Sequence, residues 1–368
     1  MASHEPTADT FEEKAVYTGK KLRIGIVGAG GIASVHAQSY QDVPAADIVA
    51  VCDIDESRLE PFAKRFDIPK TYNSIEEMIA NEELDAVDVC VWNCNHAKCS
   101  IYALEHGLNV LCEKPMAYNT EEAIKMKEAA DKAGKLLMIG FVLHFADDTK
   151  LIEDFKEDLG EIYYSKATYL RRHGAPGGWF CDKARSGGGP IIDLGVHVID
   201  QTRMLMGRPI PVSVYAASSD KLGFRPHLIN KPTWIPRVSK FDNGVVDIED
   251  FGTALIRYDN GAVTLLETSY SLNGETNMSK ALYGTKGGVV IGKDTKIYTE
   301  MHDRLVDITP SNEGIRTGDH FLKEMEHFVD CFLNGTECIA TAEDGIWVMK
   351  ILDAIYESAR TGHEVEIK

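Results

Sequence analysis

The sequence lacks any apolar run that approaches the roughly 18 residues needed to cross a bilayer. It also lacks an excess of basic residues. The 368-residue chain has 39 Lys and Arg against 57 Asp and Glu, which gives a formal charge of −18. An acidic surface repels the phosphate backbone of nucleic acids. These absences argue against a membrane protein and against a nucleic-acid partner.

The N-terminus and the cysteines lack two further patterns. The opening residues MASHEPTADTFEEK contain no basic segment followed by an apolar one. We therefore expect a polar extension over residues 1–20, and neither a signal peptide nor a membrane anchor. The eight cysteines follow no framework spacing, and Cys52, Cys90 and Cys112 lie in apolar, strand-like runs. This predicts free thiols in a reducing cytoplasm.

The composition that remains is typical of a globular protein, 44% hydrophobic and 26% charged, and the length is typical of about two domains. Over residues 21–142, short apolar runs alternate with helical stretches, which predicts a parallel sheet with helices on both faces. Over residues 143–368, successive strands and turns are followed by two helices. We therefore predict an α/β domain and then an α+β domain with a large, mostly antiparallel open sheet.

Two helix starts in the first domain carry cap signals. Glu77 follows Ser74 by three residues, which is the spacing of a capping box. Thr120 is expected to cap a long helix that ends at Gly134.

A glycine-rich turn joins the first predicted strand, Leu22–Val27, to the first predicted helix, Gly31–Tyr40. The segment Gly28-Ala29-Gly30-Gly31-Ile32-Ala33 fits G-x-G-x-x-G/A, in which the glycines permit a tight turn and let the backbone approach a pyrophosphate. Asp53 ends the second strand, where a carboxylate accepts hydrogen bonds from an adenosine ribose and repels a 2′-phosphate. Strand, loop, helix and acid together predict a Rossmann domain that binds NAD rather than NADP. The alternative is a glycine-rich turn without a ligand. The expected cofactor contacts here are Gly28, Gly30, Gly31, Ile32, Asp53 and Ile54.

Three other residues have the chemistry needed to oxidise a hydroxyl group. Lys114 follows an apolar strand, and the carboxyl ends of strands in open α/β sheets bind ligands. Asp193 and His197 are four residues apart, so a helix places both on one face, and histidine is well suited to proton transfer near neutral pH. Alternatives are a surface lysine in a turn, a capping aspartate beside a packed histidine, and a metal pair. No third metal ligand has convincing spacing.

The chain resembles the Gfo/Idh/MocA oxidoreductases, the glucose-fructose oxidoreductase and inositol dehydrogenase group. The matching motifs are GIVGAGGIA, LCEKP at Leu111–Pro115 and GGGPIIDLGVHVID at Gly187–Asp200. The resemblance implies a Rossmann domain, an open-sheet second domain that supports homo-oligomers (dimer, tetramer or higher), and NAD as cofactor. It also implies that Lys114, Asp193 and His197 form a catalytic set.

Two segments depart from the family pattern near the expected nicotinamide end. Many members have Thr-Pro-Asn-x-x-His after the fourth strand, whereas this chain keeps Asn93 and His96 but has Trp92 in place of the proline. Many members have an arginine after the sixth strand, where this chain has His144. The resemblance implies cofactor contacts from Asn93, His96, Glu113 and Lys114.

A loop rich in glycine and proline precedes the predicted catalytic helix, and functional groups often occupy such loops. Trp179 could lie against the C–H face of a sugar ring, and Arg172 could bond hydroxyl groups. We therefore expect Arg172, Trp179, Asp193 and His197 to bind substrate. The alternative is a structural loop in which Trp179 fills the core.

These features predict an NAD-dependent dehydrogenase that oxidises a secondary hydroxyl of a sugar, glycoside or cyclitol to a ketone. We expect His197 to act as the general base, Lys114 to stabilise the alkoxide, and Asp193 to orient His197 or a neighbouring hydroxyl. Two rivals are a glycosidase that retains NAD and acts by oxidation and elimination, and a non-catalytic NAD-binding sugar sensor. No metal site is expected, because Cys90, Cys94, His96 and Cys99 lack paired spacing.

Overall fold

A computed structural model describes residues 19–229, 240–292, 295–311 and 318–368. The polar extension predicted for residues 1–20 lies almost wholly outside the described residues. Within the described part of the chain, no helix has both the length and the apolar character needed to cross a bilayer.

Six parallel strands form the first sheet, in the order β3-β2-β1-β4-β5-β6. This is the doubly wound order of a dinucleotide-binding fold. The strands are β1 Leu22–Val27, β2 Ala46–Cys52, β3 Lys70–Tyr72, β4 Ala86–Val89, β5 Asn109–Glu113 and β6 Leu137–Gly140. The helices between them are α1 Gly31–Tyr40, α2 Glu56–Phe66, α3 Ile75–Asn81, α4 His96–Glu105 and α5 Thr120–Ala133. The predicted parallel sheet is confirmed.

Both predicted helix starts can be compared with the structure. The Ser74 side chain accepts a hydrogen bond from the backbone N–H of Glu77 and caps α3, as predicted. The prediction for Thr120 was wrong by one residue, because the Asn119 side chain accepts from the Glu122 N–H and caps α5. Asparagine is at least as good a cap as threonine, so sequence alone did not separate the two.

Nine strands form the second sheet, in the order β14-β13-β12-β11-β7-β10-β9-β8-β15. All neighbouring pairs are antiparallel except β7 with β10, so the predicted mostly antiparallel sheet is confirmed. The strands are β7 Ile162–Leu170, β8 Pro211–Ser219, β9 Phe251–Tyr258, β10 Val263–Ser269, β11 Asn277–Gly284, β12 Gly287–Ile291, β13 Lys296–Met301, β14 Arg304–Ile308 and β15 Val365–Glu366. The helices are α6 Asp147–Asp154, α7 Lys156–Leu159, α8 Lys183–Ser186, α9 Val196–Leu205, α10 His320–Asn334 and α11 Ala342–Thr361.

One wide helical turn precedes α9. Residues Ile191–Gly195 form a π-helical segment that runs directly into Val196–Leu205. Such segments are rare in proteins, and those that occur are often found at functional sites. This turn carries Asp193, and α9 carries His197, so the two candidate catalytic residues share one continuous helical element.

Candidate active site

A cavity of about 540 Å³ opens where the carboxyl ends of the Rossmann strands face the second domain. Its lining includes most of the residues predicted for the cofactor and the substrate. Those residues are Gly28, Gly30, Gly31, Ile32, Asp53, Ile54, Asn93, His96, Glu113, Lys114, Trp179, Asp193 and His197. The fold thus brings together positions that are up to 169 residues apart in the chain.

The glycine turn has the geometry that a pyrophosphate needs. Gly28 has φ +103°, a conformation that other residues rarely adopt, and a Cβ there would lie 2.4 Å from the Cys90 carbonyl oxygen. A Cβ on Gly30 would meet no atom within 4 Å, so this side of the turn faces open space at the start of α1. A phosphate group can therefore approach the backbone here, and the residues fit a dinucleotide.

Asp53 is held beside this turn by two backbone donors. Its Oδ2 accepts from the Ala29 N–H at 2.7 Å, and its Oδ1 accepts from the Asp55 N–H at 2.7 Å. Ile54 follows and is 56% exposed at the cavity wall. The carboxylate is fixed in place, and it still has lone pairs for ribose hydroxyls.

His96 and Asn93 tie this wall of the cavity together. One nitrogen of the buried His96 ring, Nδ1, is 2.7 Å from the Pro115 carbonyl oxygen, which connects the start of α4 to the turn that carries Lys114. The Asn93 side chain donates to the Ser186 carbonyl at 2.7 Å, across to the second domain. Trp92, the departure from the family pattern, lines the cavity with the Arg185 guanidinium over its ring.

Lys114 and Asp193 form an ion pair across the cavity. The Lys114 Nζ donates to Asp193 Oδ1 at 2.9 Å and to the Asp193 carbonyl at 3.1 Å. The Tyr270 hydroxyl donates to the other carboxylate oxygen of Asp193 at 2.7 Å. Burial favours the neutral acid, but the charges of Lys114 and Arg171 and these hydrogen bonds outweigh it and lower the pKa of Asp193 to about 2. Asp193 is therefore an anion that holds the Lys114 ammonium in place.

His197 lies one helical turn beyond Asp193 and is neutral at physiological pH. Burial, and next the positive charge of Lys114, hold the pKa of His197 well below its usual value near 6.5, against the opposing effect of Asp193. A neutral imidazole can accept a proton. The cavity therefore contains a fixed cation, a fixed anion and a free base.

Two glycines position this helical element through close contacts. A Cβ on Gly188 would lie 2.0 Å from the Tyr356 hydroxyl, and one on Gly189 would lie 2.2 Å from the Glu249 carbonyl oxygen. The Glu249 carboxylate accepts from the Gly189 and Ile191 N–H groups at 3.0 and 3.1 Å and from the Tyr356 hydroxyl at 3.0 Å. Glu249 thus anchors the start of the element that carries Asp193 and His197.

The substrate side of the cavity differs in one residue from the prediction. Trp179 is half-buried at the wall and stacks on Phe180 with ring centroids 4.0 Å apart. Arg172 is exposed, whereas its neighbour Arg171 lines the cavity and donates to the Tyr169 hydroxyl at 2.7 Å. Successive residues of a strand point to opposite faces, and Tyr169 and Arg171 share the face that Arg172 does not. The period-two pattern separates Arg171 from Arg172, and the structure shows that the face of Arg171 lines the cavity.

Other lining residues carry no local sequence signal. Tyr270 follows β10, and its contact with Asp193 depends on the packing of β10 beneath the π-helical segment. Phe241 and Phe321 approach the cavity from a loop and from the start of α10.

His144, where many family members have arginine, is buried against Asp200 instead.

Comparisons with known proteins agree with this geometry. The protein-family model described as "Oxidoreductase family, NAD-binding Rossmann fold" matches residues 22–141. A second family model, described as "Oxidoreductase family, C-terminal alpha/beta domain", matches residues 150–367. A D-glucoside 3-dehydrogenase of Escherichia coli (strain K12) is 34% identical over 360 residues, which cover 96% of this chain and 100% of that protein.

Two further similarities are more distant. A myo-inositol 2-dehydrogenase of Thermotoga maritima is 24% identical, over 94% of this chain and 99% of that protein. The crystal structure of GenD2 from gentamicin A biosynthesis in complex with NAD superposes with a TM-score of 0.77 at 25% identity, covering 96% of this chain and 98% of that one. The predicted NAD cofactor is confirmed, and the chain belongs to the Gfo/Idh/MocA family of NAD-binding oxidoreductases.

Proposed function

We propose that the protein oxidises a secondary hydroxyl group of a sugar, glycoside or cyclitol to a ketone. The observation that carries the proposal is the Lys114–Asp193–Tyr270 network beside a neutral His197, in one cavity with the glycine turn. Similarity to a D-glucoside 3-dehydrogenase and a myo-inositol 2-dehydrogenase supports the substrate class. A polar cation–anion pair next to an aromatic wall favours a polyhydroxylated ring over an apolar alcohol.

NAD, when bound, supplies the acceptor for the hydride. In our proposal the backbone of the glycine turn holds the pyrophosphate and Asp53 holds the adenosine ribose. The other proposed cofactor contacts are Ile54, Asn93, His96, Glu113 and Lys114. Glu113 is itself held in place, with its Oε1 3.0 Å from His36 Nε2 and its Oε2 accepting the Lys114 N–H at 3.0 Å.

His197 takes the hydroxyl proton in this mechanism, since its lowered pKa keeps it neutral. Lys114 donates a hydrogen bond to the same oxygen and stabilises the developing alkoxide. Asp193 contacts Lys114 and Tyr270, so we assign it the role of orienting the ammonium group. His197 of the second domain would then face the hydroxyl oxygen, and the cofactor site of the Rossmann domain would face the carbon that bears it.

Substrate recognition is assigned to Trp179 and Arg171. Trp179 is half-buried, with its ring stacked on Phe180, and such an aromatic surface can pack against the C–H face of a sugar. Arg171 is oriented by the Tyr169 hydroxyl and offers further donors to ring hydroxyls. Arg172, which is exposed, is assigned to the rim of the site.

The outer face of the second sheet carries exposed aromatic and apolar side chains. Tyr164 of β7 pairs with Tyr283 of β11, and Tyr298 of β13 lies in the same row beyond Gly288 of β12. The Tyr164 and Tyr283 rings stack 5.3 Å apart, and Tyr215 and Leu255 are 55% and 43% exposed. We propose that a second copy of the chain covers this face. Leu255→Asp is expected to lower the mass measured by light scattering, and an unchanged mass would reject this interface.

All eight cysteines are free thiols, none of them in a disulfide. Free thiols are typical of reducing compartments, and we propose the cytoplasm. Fractionation of cells that express the native gene tests this directly, since recovery in the periplasmic or secreted fraction would contradict it.

A substrate panel tests the proposed reaction. The protein is incubated with excess NAD and with inositols, free hexoses and glucosides. We expect one NADH for each keto product with at least one member of the panel. Free sugar without NADH would favour the oxidation–elimination glycosidase, and tight NAD binding without turnover of any member would favour the sensor.

A further inference from the structure

A second cluster of reactive side chains lies away from the cavity. His327 and Cys331 are on α10, and Cys338 is on the segment that leads to α11. The Cys331 Sγ is 3.3 Å from the His327 Nε2, and one ligand atom from each of the three residues lies within 4.8 Å of the other two. All three side chains are half-buried.

The sequence brings the three groups together by two local features. His327 and Cys331 are four residues apart, so α10 presents them on one face. The helix ends at Gly335, which has φ +69° and turns the chain back. Cys338 then returns to the same face.

Backbone contacts fix the segment that carries Cys338. The Ile339 carbonyl oxygen accepts from the Arg208 guanidinium at 2.9 Å and from the His144 Nδ1–H at 3.1 Å. The Ala340 carbonyl accepts from the Ile139 N–H at 3.0 Å, and Thr341 pairs with Met138 of β6. Cys338 is therefore held opposite α10 and is not on a free loop.

The donor atoms of this cluster suit a soft divalent cation. Two sulfur atoms and one imidazole nitrogen suit Zn²⁺, whereas Mg²⁺ and Ca²⁺ prefer oxygen ligands. Zinc lies about 2.3 Å from sulfur and about 2.0 Å from imidazole nitrogen, so donors separated by the distances seen here can surround one ion. The Ile339 N–H donates to His327 Nε2 at 3.2 Å, so the lone pair of this nitrogen faces the segment of Cys338. An ion would replace that hydrogen bond.

The other histidine–cysteine cluster of the described residues has no such capacity. His36 is on α1, and its side chain is buried together with those of Asp88 and Cys90. His36 Nδ1 is 2.8 Å from the Asp88 carboxylate, and Nε2 is 3.0 Å from the Glu113 carboxylate. Both ring nitrogens are thus engaged by carboxylates, and all three side chains are buried. Of the two clusters found among the described residues, the one on α10 combines an imidazole nitrogen with two half-buried thiols.

We propose that His327, Cys331 and Cys338 bind one Zn²⁺ ion, with water as the fourth ligand at the half-exposed side. The two thiols release their protons to solvent as the ion binds. The ion would link α10 to the segment entering α11, and that segment packs on β6 of the Rossmann sheet. Its effect is on stability, because none of its three ligands lines the cavity.

The test measures zinc and cobalt binding to the full-length protein. Protein stripped with a chelator is titrated with zinc sulfate against a chromophoric competitor, and with Co²⁺ to detect a thiolate-to-cobalt absorption band. We expect one equivalent of zinc, the absorption band, and a higher Tm on loading. Cys331→Ser and Cys338→Ser should each weaken binding by about tenfold or more. Cys94→Ser, a matched half-exposed thiol, should bind zinc as the wild type does.

Three results would overturn the proposal. One is the absence of zinc binding by wild-type protein with all thiols reduced. Another is wild-type affinity in both cysteine variants, which would place the ion elsewhere. The third is a Cys331–Cys338 disulfide that forms in air while the fully reduced protein binds no zinc, which would make the cluster a redox pair. Turnover of Cys331→Ser should match wild type in the absence of zinc.

Discussion

The catalytic helical element carries two aspartates that each lie near a histidine. Asp193 is near His197 of the same element, whereas Asp200 contacts His144 in the segment that follows β6. The pKa values of the two histidines shift in opposite directions. Asp193 at the start is paired with Lys114, and the neighbouring His197 is neutral. Asp200 lies three residues after His197, and its carboxylate is 2.6 Å from His144 Nε2. Burial lowers the pKa of His144, but the Asp200 charge outweighs it and raises the pKa above its usual value.

The neighbours of each histidine account for the difference. His144 donates from Nδ1 to the Ile339 carbonyl and faces a carboxylate through Nε2, so both contacts favour the doubly protonated ring. Burial lowers the pKa of His197, and the positive charges of Lys114 and Arg171 lower it further against the opposing effect of Asp193. The carboxylate beside His144 raises its pKa and suits a structural role, whereas the cations near His197 lower its pKa and suit a base. We predict that the two pairs separate activity from stability.

The largest effect is expected from loss of the base. His197→Asn should lower kcat by about 10²–10⁴-fold, the range for removal of a general base, while the dissociation constant for NAD stays near the wild-type value. The measurement is steady-state kinetics on the best substrate of the panel, with NAD binding by fluorescence. A His106→Asn variant, changed on the surface, is the control. Turnover within twofold of that control would contradict the role of His197.

A smaller loss is expected at Lys114. Lys114→Ala should lower kcat by about 10²–10³-fold, as for removal of a donor to a developing oxyanion. Burial still lowers the pKa of His197 in this variant, but the second cause of the shift, the Lys114 charge, is gone. The acidic limb of kcat/KM lies below pH about 6.5 in the wild type and should therefore move to higher pH in the variant.

The control for Lys114→Ala is Lys125→Ala, which removes a surface lysine paired with Glu121. It should retain both the wild-type rate and the wild-type pH profile. An acidic limb that stays in place in Lys114→Ala would show that Lys114 does not act on His197.

Tyr270→Phe should have a modest effect. The variant removes one hydrogen bond to the Asp193 anion, a bond to a charged group worth about 1.5 kcal/mol, so kcat should fall about tenfold. Tyr283→Phe, on the outer face of the second sheet, should leave kcat unchanged. Equal rates for the two variants would mean that Asp193 holds Lys114 without help from Tyr270.

The smallest effect on turnover, and the largest on stability, is expected at Asp200. Asp200→Asn leaves the buried His144 without its charged partner, so the free energy of unfolding in urea should fall by about 3 kcal/mol with kcat nearly unchanged. Asp193→Asn is the matched change at the other position and should lower kcat with a smaller loss of stability. A large loss of kcat in Asp200→Asn, together with a larger loss of stability in Asp193→Asn, would contradict the distinction between the two pairs.

The sequence was sufficient for the Rossmann half because its signals are local. The strand, glycine turn and helix of residues 22–40 were predicted residue by residue, and the capping box at Ser74 was confirmed. The same local reasoning misplaced one cap, at Thr120, where two good capping residues are adjacent. The parallel pairing of β7 with β10 had no local signal, since it depends on how distant strands meet.

The cavity shows a similar division. Lys114, Asp193 and His197 could be selected because their motifs are specific, and the structure brings them together in one cavity. The contact of Tyr270 with Asp193 and the anchoring of Gly189 by Glu249 are tertiary contacts with no sequence spacing to reveal them. Strand periodicity places Arg171 and Arg172 on opposite faces, but which of the two faces lines the cavity depends on tertiary packing.

The central claim is net hydride transfer from a substrate carbon to NAD in this cavity. The direct measurement uses a substrate that carries deuterium on the reacting carbon and follows the label by mass spectrometry. We predict that the deuterium is recovered in released NADH, in equal amount to the keto product. Recovery of the label in a free sugar, with no labelled NADH, would contradict the proposed dehydrogenase.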